Sequence, residues 1–442
     1  MSERILVAGA GVSGLGALHM LRATDARVDI ADDRPGHGAI PVNQVNLDNY
    51  DMVVTSPGWR PDSPLLSESV RRGIPVIGDV ELAWRLDRAE VFGRERRWLV
   101  VTGTNGKTTT TAMLEKMMQA GGFAARAVGN IGLAVGEALA AEERIDVMVA
   151  ELSSFQLHWA PTLTPDAGVL LNLAEDHIDW HGGFQAYADA KVRALRGPVA
   201  IAGTDDPHVR TALTRAGIDA VGFGLDSATR YHVAQGQLME GDTPLASAEG
   251  IEPAGPAGVL DALAAAAMAR SQGVSAQAIQ EALSSFHVAG HRGQVVGEWD
   301  GIRAIDNSKA TNPHATDAAM KGLGPIIWVA GGQLKGADIT ELIRSHRDHI
   351  KAALILGQDR HIISQVMDVE APEALVYSTP ETDPAAAMDD LVKQAKQWAS
   401  PGDTILLAPA AASLDMYEGM GQRGDIFAAA IKKHLGGEHA RD

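Results

Sequence analysis

The stretch "VVTGTNGKTTTTAML" (100–114) joins a buried-strand pattern to a helix start through a glycine-bearing loop. Upstream, "WLVV" (98–101) is an apolar run without alternation, as expected of a strand covered on both faces. Downstream, Met113, Leu114, Met117 and Met118 recur at helical spacing, and two glycines close the run. Between them Gly103, Thr104, Asn105, Gly106, Lys107 and Thr108 form a loop of the kind that turns backbone N–H groups and a helix dipole toward an anion. Lys107 is placed to reach the outer phosphates of a nucleotide, with the Thr108 and Thr109 hydroxyls facing phosphate and Mg²⁺. Thr110 and Thr111 are expected to cap amides of the first turn. The common Gly-x-x-x-x-Gly-Lys spacing is not met, since Val101 stands where its first glycine belongs.

On either side of this stretch, short β-rich runs alternate with helical patterns, which predicts an α/β chain of three domains. The expected divisions are a Rossmann-like domain over 1–93, a central P-loop ATPase-like domain over 94–288, and a C-terminal Rossmann-like domain over 289–442. "GRERRW" (93–98) reads as a solvated linker between the first two. The net charge of −18, from 56 acidic against 38 basic residues, opposes binding to a nucleic-acid backbone. No apolar run approaches the roughly 20 residues a membrane span needs, and no signal-peptide core opens the chain, so a cytoplasmic protein without membrane insertion is expected. Cys is absent, which removes disulfides and thiolate metal sites.

Glu151 ends the strand-like run "IDVMVAEL", and Glu175, Asp176 and His177 follow "GVLLNL". In a parallel sheet such strand ends share an edge with the phosphate loop, where a Mg²⁺-nucleotide would lie. A zinc cluster of His177, Asp179 and His181 is the alternative reading of "EDHIDWH" (175–181). Near the N-terminus "GAGVSG" supplies Gly9, Gly11 and Gly14 with Asp32 one strand later, a pattern that seats the pyrophosphate of a dinucleotide or a nucleotide-sugar alike, with Arg34 as an added cation. In the last third, Asp306, Asn307, Lys309, Thr311 and Asn312, then Lys335, then Ser413 and Arg423, make a second cationic, hydroxyl-rich face that could close over a nucleotide.

Read in order, "TGTNGKTT" (102–109), "ELSSFQL" (151–157) and "EDHIDWHG" (175–182) make the chain resemble the Mur ligases of peptidoglycan synthesis. "GAGVSGLG" (9–16), "SPG" (56–58), "GDVEL" (78–82), "DNSKATN" (306–312), "GGQLKGAD" (331–338) and "ASLD" (412–415) are most similar to the branch acting on UDP-N-acetylmuramoyl-L-alanine and D-glutamate. The resemblance implies a monomeric, ATP- and Mg²⁺-dependent amide ligase, using two ions, that activates a carboxylate as an acyl phosphate. It implies metal ligation by Glu151, His177 and Thr108, and by Lys191 once carbamylated; Lys107, Glu151, His177 and Lys191 are the catalytic set. ATP would be held by residues 103–109 with His291, Arg292 and Lys309. The uridine nucleotide would meet Val12, Ser13, Asp32, Asp33, Arg34, Gly58 and Asn130, and D-glutamate would meet Thr311, Lys335, Ser413 and Leu414. A sister Mur-type or folylpolyglutamate-type ligase is the alternative. Three positions depart from many relatives: "GPAG" (255–258) lacks an adenosine-contacting asparagine, Asn307 stands before Ser-Lys-Ala-Thr-Asn in place of Asp, and Met420 replaces an aromatic.

Overall fold

The computed structural model describes residues 3–33, 38–226, 228–288 and 290–436. Three sheets carry the chain. The first contains β1 (Arg4–Ala8), β2 (Arg27–Ala31), β3 (Met52–Thr55) and β4 (Val76–Gly78) in the order β2-β1-β3-β4, all parallel.

The second contains β5 (Arg97–Thr102), β6 (Ala125–Gly129), β7 (Val147–Glu151), β8 (Ala167–Leu170), β9 (Ala200–Gly203), β10 (Val221–Phe223), β11 (Tyr231–Ala234), β12 (Gln237–Glu240) and β13 (Thr243–Ser247). Its order is β13-β12-β11-β10-β9-β8-β5-β7-β6, parallel except for the antiparallel β11–β13 end. Trp98, Leu99, Val100 and Val101 of β5 are fully buried, which is why that strand shows no polar alternation. Because β5 lies between β7 and β8, with Val101 opposite Glu151 and Thr102 opposite Leu170, the segments leaving all three strands emerge on one edge.

The third sheet contains β14 (Gln294–Trp299), β15 (Ile302–Asp306), β16 (Ile326–Gly331), β17 (Ile350–Leu356), β18 (Leu375–Ser378) and β19 (Thr404–Leu407), in the order β14-β15-β19-β16-β17-β18. Only β14 runs antiparallel to its neighbour.

The sheets gather into two compact units. One is Met1–Glu249 with Leu260–Ser285 and holds the first two sheets; the other is Gly250–Val259 with Phe286–Asp442 and holds the third. The first unit has a core that crosses its two sheets, combining Met20, Val54 and Trp84 with Trp98, Val128 and Leu152.

At that junction the "GRERRW" run is solvated at Gly93, Arg94, Glu95 and Arg97 but not at Arg96 and Trp98. Arg96 is buried, and its Nη1 donates to Asp87 Oδ1 at 2.9 Å while its amide donates to Asp87 Oδ2 at 3.0 Å. Trp98 Nε1 donates to the same carboxylate at 2.9 Å. Burial pushes the Asp87 carboxyl up, but the hydrogen bonds from Trp98, Arg96 and Arg88 outweigh it and hold the group below its ordinary value. Sequence composition marks the run as basic; only the fold supplies the buried acid that pairs with it. Breaking one side of such a pair costs about 3–5 kcal/mol.

Candidate active site

The phosphate loop bends as its glycines predict. Gly106 has φ +81°, and a Cβ there would lie 2.2 Å from Asp261 Oδ1, so both backbone and space demand glycine. The helix that follows is Lys107–Ala120, with no side-chain cap at its N-terminus. Thr110 and Thr111 do not cap it. Both are fully buried, Thr110 Oγ1 donates to Asp261 Oδ1 at 3.2 Å, and Thr111 Oγ1 has no hydrogen-bond partner. Thr109 is buried as well, and Thr108 half-buried. Lys107 Nζ folds back to donate to Thr104 O at 2.7 Å. Thr104 Oγ1 shares a 2.7 Å hydrogen bond with Tyr187 Oη and accepts from the Ala174 amide at 2.9 Å.

Beneath the loop lies Lys191, on the helix Phe184–Val192 and only 2% exposed. Its Nζ donates to Gly103 O at 2.6 Å, lies 3.4 Å from Thr102 Oγ1, and sits 4.9 Å from the centre of the Tyr187 ring. Burial drives its pKa well below the ordinary lysine value, Lys107 lowers it further, and Asp176 and Glu151 oppose the shift less strongly. Lys191 is therefore not a solvated surface lysine.

Glu151 is buried at the end of β7; Asn130 Nδ2 donates to its Oε1 at 2.7 Å, and Oε2 has no partner. His177 takes φ +53° as the residue preceding the short helix Ile178–His181. Burial lowers its pKa, Asp176 pulling the other way, so its imidazole is neutral at pH 7 and able to ligate a metal. The zinc alternative fails on geometry. Among the described residues no three His, Asp or Glu side chains converge to hold a metal ion. Asp179 turns toward Arg60 at 3.8 Å, and His181 packs among Phe155, Trp180 and Tyr187 with both ring nitrogens unpartnered.

A cavity of about 610 Å³ connects these groups to the first sheet. Gly11, Val12, Ser13 and Gly58 line it together with Asn130, Lys107, His177 and Lys191. Val12 and Ser13 open the helix Val12–Leu21, which also lacks a side-chain cap, so its first turn faces the cavity with its amides. Gly14 allows the helix to sit there, since a Cβ would fall 1.8 Å from Gly9 O. Asp32 faces the loop backbone: its Oδ2 accepts from the Ala10 amide at 2.7 Å. Asp33 is exposed, and its Oδ1 accepts from the Val42 amide at 3.0 Å. Arg34 lies outside the described residues.

The second unit brings its own set together. Asp306 pairs with Leu407 across β15–β19 and Val329 with Leu407 across β16–β19, so the segments after these strands share one edge. Ala410 N donates to Ala310 O, and Gln333 bridges to Ala412, which places Thr311, Lys335, Ser413 and Leu414 on adjoining loops. Lys335 and Leu414 are exposed, Lys309, Thr311 and Arg292 are half-buried, and Ser413 is buried. His291 Nδ1 bonds Asp306 Oδ2 at 2.6 Å, and the Lys309 amide donates to His291 O at 3.2 Å. Arg423 is not part of a cationic face. It is wholly buried, with Nε donating to Ser308 Oγ, Nη2 to Ser308 O, and Nη1 to Gly331 O and Ala411 O.

Reasoning from sequence passed over Asn172, Tyr187 and Asp261, all of which touch the phosphate loop. A polar residue directly after a buried strand was the available signal for Asn172; the other two come from helices remote in sequence.

The chain matches the family models of the Mur ligase middle domain over residues 101–267 and the Mur ligase glutamate ligase domain over residues 291–411. It is 58% identical to the UDP-N-acetylmuramoylalanine–D-glutamate ligase of Corynebacterium efficiens, covering 98% of this chain and 96% of the relative. The enzyme of that name from Mycolicibacterium smegmatis is 43% identical, covering 98% of this chain and 97% of the relative. Among solved structures, a pseudomurein peptide ligase type C from Methanothermus fervidus superposes with TM-score 0.60 at 16% identity, covering 97% of this chain and all of the other. The UDP-N-acetylmuramate-alanine ligase MurC from Thermotoga maritima gives TM-score 0.57 at 15% identity, covering 98% and 99%. With both family models aligned to the sheets that carry the loop and the second cluster, and with relatives so similar along their full length, this chain belongs to the Mur ligase family.

Proposed function

We propose that the chain joins D-glutamate to UDP-N-acetylmuramoyl-L-alanine, using ATP and releasing ADP and phosphate, as a step in making peptidoglycan precursors. The observation that carries this reading is the single cavity running from the amides at Val12 and Ser13 to Lys107, His177 and Lys191. A substrate with a pyrophosphate at one end and a carboxylate at the other fits such a site, its diphosphate on the first-sheet helix and its acid beside the phosphate loop.

A carboxylate is a poor acyl donor, so its oxygen takes the γ-phosphoryl group of ATP to give an acyl phosphate. The D-glutamate amine then attacks the acyl carbon, and phosphate leaves. Lys107 and the loop amides offset charge on the transferred group. Residues 103–109 grip the triphosphate; Val12, Ser13, Gly58 and Asn130 position the UDP-sugar, with Asp32 shaping the loop from behind. In the second unit Lys335, Thr311 and Ser413 receive the D-glutamate carboxylates and Leu414 covers its stem, while His291, Arg292 and Lys309 serve ATP. The expected division at 1–93, 94–288 and 289–442 assigns one substrate to each segment.

The residues fit Mg²⁺. Glu151 Oε2 is a buried carboxylate oxygen with no partner, which a cation would satisfy, and His177 is neutral. Glu151, His177 and Thr108 would hold it, and when bound it supplies positive charge to phosphate oxygens. Lys191 is suited to carbamylation: burial favours its neutral amine, whose lone pair forms the nitrogen–carbon bond to CO₂ as a C=O π bond opens onto oxygen, and loss of the N–H proton to solvent leaves an anion able to hold a second ion.

The test uses the purified protein with ATP, Mg²⁺, UDP-N-acetylmuramoyl-L-alanine and a panel of amino acids. ADP release is expected with D-glutamate; release with L-lysine, diaminopimelate or a folate acceptor in its place would move the chain to a sister ligase.

A further inference from the structure

Asn172 follows β8, and its side chain reaches across to the phosphate loop. Its Oδ1 accepts from the Thr104 amide at 3.0 Å and from the Asn105 amide at 2.8 Å, and its Nδ2 donates to Asn105 O at 3.1 Å. The orientation of the carboxamide is settled by its partners, two N–H donors on one side and one carbonyl on the other. Its own carbonyl also accepts from the Thr104 amide at 3.1 Å. A loop that must hold a bent backbone ready for an anion is thus pinned through both the N–H and the C=O of Asn105.

Resting on the proposed ATP chemistry, we propose that Asn172 is a positioning residue that holds the phosphate loop in its nucleotide-ready bend before ATP arrives. Its carboxamide also divides the loop's donors. The Thr104 and Asn105 amides are engaged by Asn172, so within residues 103–109 the backbone N–H donors left for the triphosphate begin at Gly106, at the helix start. Without the side chain the Asn105 amide loses its acceptor, the Thr104 amide keeps only the Asn172 backbone carbonyl, and the loop gains freedom that ATP binding must then remove. The effect falls on ATP alone, because Asn172 does not line the cavity that receives the other substrate.

The experiment compares wild type, Asn172→Ala and Asn172→Asp as full-length proteins. Asp keeps an acceptor for both amides and loses the bond to Asn105 O, which makes it the control for folding and for loop order. Hydrogen exchange without nucleotide should show the Asn105 amide protected in wild type and Asn172→Asp and exposed in Asn172→Ala, with the Thr104 amide, which keeps the Asn172 carbonyl, changing less. Steady-state kinetics of Asn172→Ala should show KM for ATP raised about 10- to 100-fold, with KM for the UDP-sugar substrate within about twofold of wild type. Undiminished protection of the Asn105 amide in Asn172→Ala, or an unchanged KM for ATP, would overturn the proposal. A wild-type protein that bound no ATP would instead overturn the functional reading and leave the exchange result standing.

Discussion

Lys191 in the first unit and Arg423 in the second are both buried, and the two charges are accommodated differently. Arg423 in the second unit makes four hydrogen bonds to carbonyls and a hydroxyl, and although burial lowers its pKa to about 10 it stays charged at neutral pH. Lys191 in the first unit has one close carbonyl, one distant hydroxyl and an aromatic face, and burial takes its pKa far below the usual lysine range. A guanidinium with its acceptors supplied is a brace, whereas burial of an amine with few acceptors favours the neutral form that can act as a nucleophile. The roles of buried cations can therefore be read from the acceptors around them.

Substituting each cation by Met tests this contrast most severely. Lys191→Met keeps the bulk and removes the amine, and turnover should fall about 10³-fold with stability nearly unchanged, since no well-paired charge is lost. ADP release and a urea melt measure the two halves. Arg423→Met should reverse the pattern by leaving buried acceptors unpaired, costing about 3–5 kcal/mol in urea unfolding. If both variants lost stability equally, Lys191 would be a second brace and the contrast would collapse.

A smaller effect sharpens the Lys191 half. An ordinary lysine is almost wholly ammonium at pH 7 and cannot attack CO₂, and lowering the pKa raises the share of neutral amine whose lone pair can. Activity should decline several-fold when the protein is held in CO₂-free buffer, and bicarbonate should restore it at pH 7 without any need for alkaline conditions. Recovery confined to pH above about 10 would mean that Lys191 keeps an ordinary pKa.

How far the sequence revealed these sites follows from where each partner lies. The phosphate loop, Glu151 and His177 were legible because parallel strands necessarily deliver their ends to one edge, a consequence of sheet geometry that needs no knowledge of side chains. Arg96, Thr110 and Arg423 were misread because their roles depend on Asp87, Asp261 and Ser308. A basic residue looks solvated until its buried acid is found, and a threonine at a helix start looks like a cap until a carboxylate from another helix claims it. Asp32 shows the intermediate case: its place after β2 was read from spacing, but its bond to the Ala10 amide makes it a support of the glycine loop. The crossing of one core through two sheets was equally hidden, since each sheet shows its own complete strand pattern.

The smallest effect concerns histidines that burial also strips of charge. His158 and His181 are each lowered to about 4, by burial first and then by neighbouring cations, and both pack in the aromatic cluster with Trp180. Unfolded, each would titrate near the ordinary value of 6.5, so between 6.5 and 4 the unfolded chain binds protons that the folded one refuses. Stability must then fall as pH drops through that window and level off below it. This is the same desolvation that acts on Lys191, felt by groups with no substrate to meet. His181→Phe preserves the ring packing and deletes one of the two sites. It should bring the melting temperatures at pH 7 and pH 5 closer by a few degrees, with little change at pH 7 itself. An unaltered gap would show that protonation of His181 is not resisted by the fold, and that its unpartnered nitrogens find water.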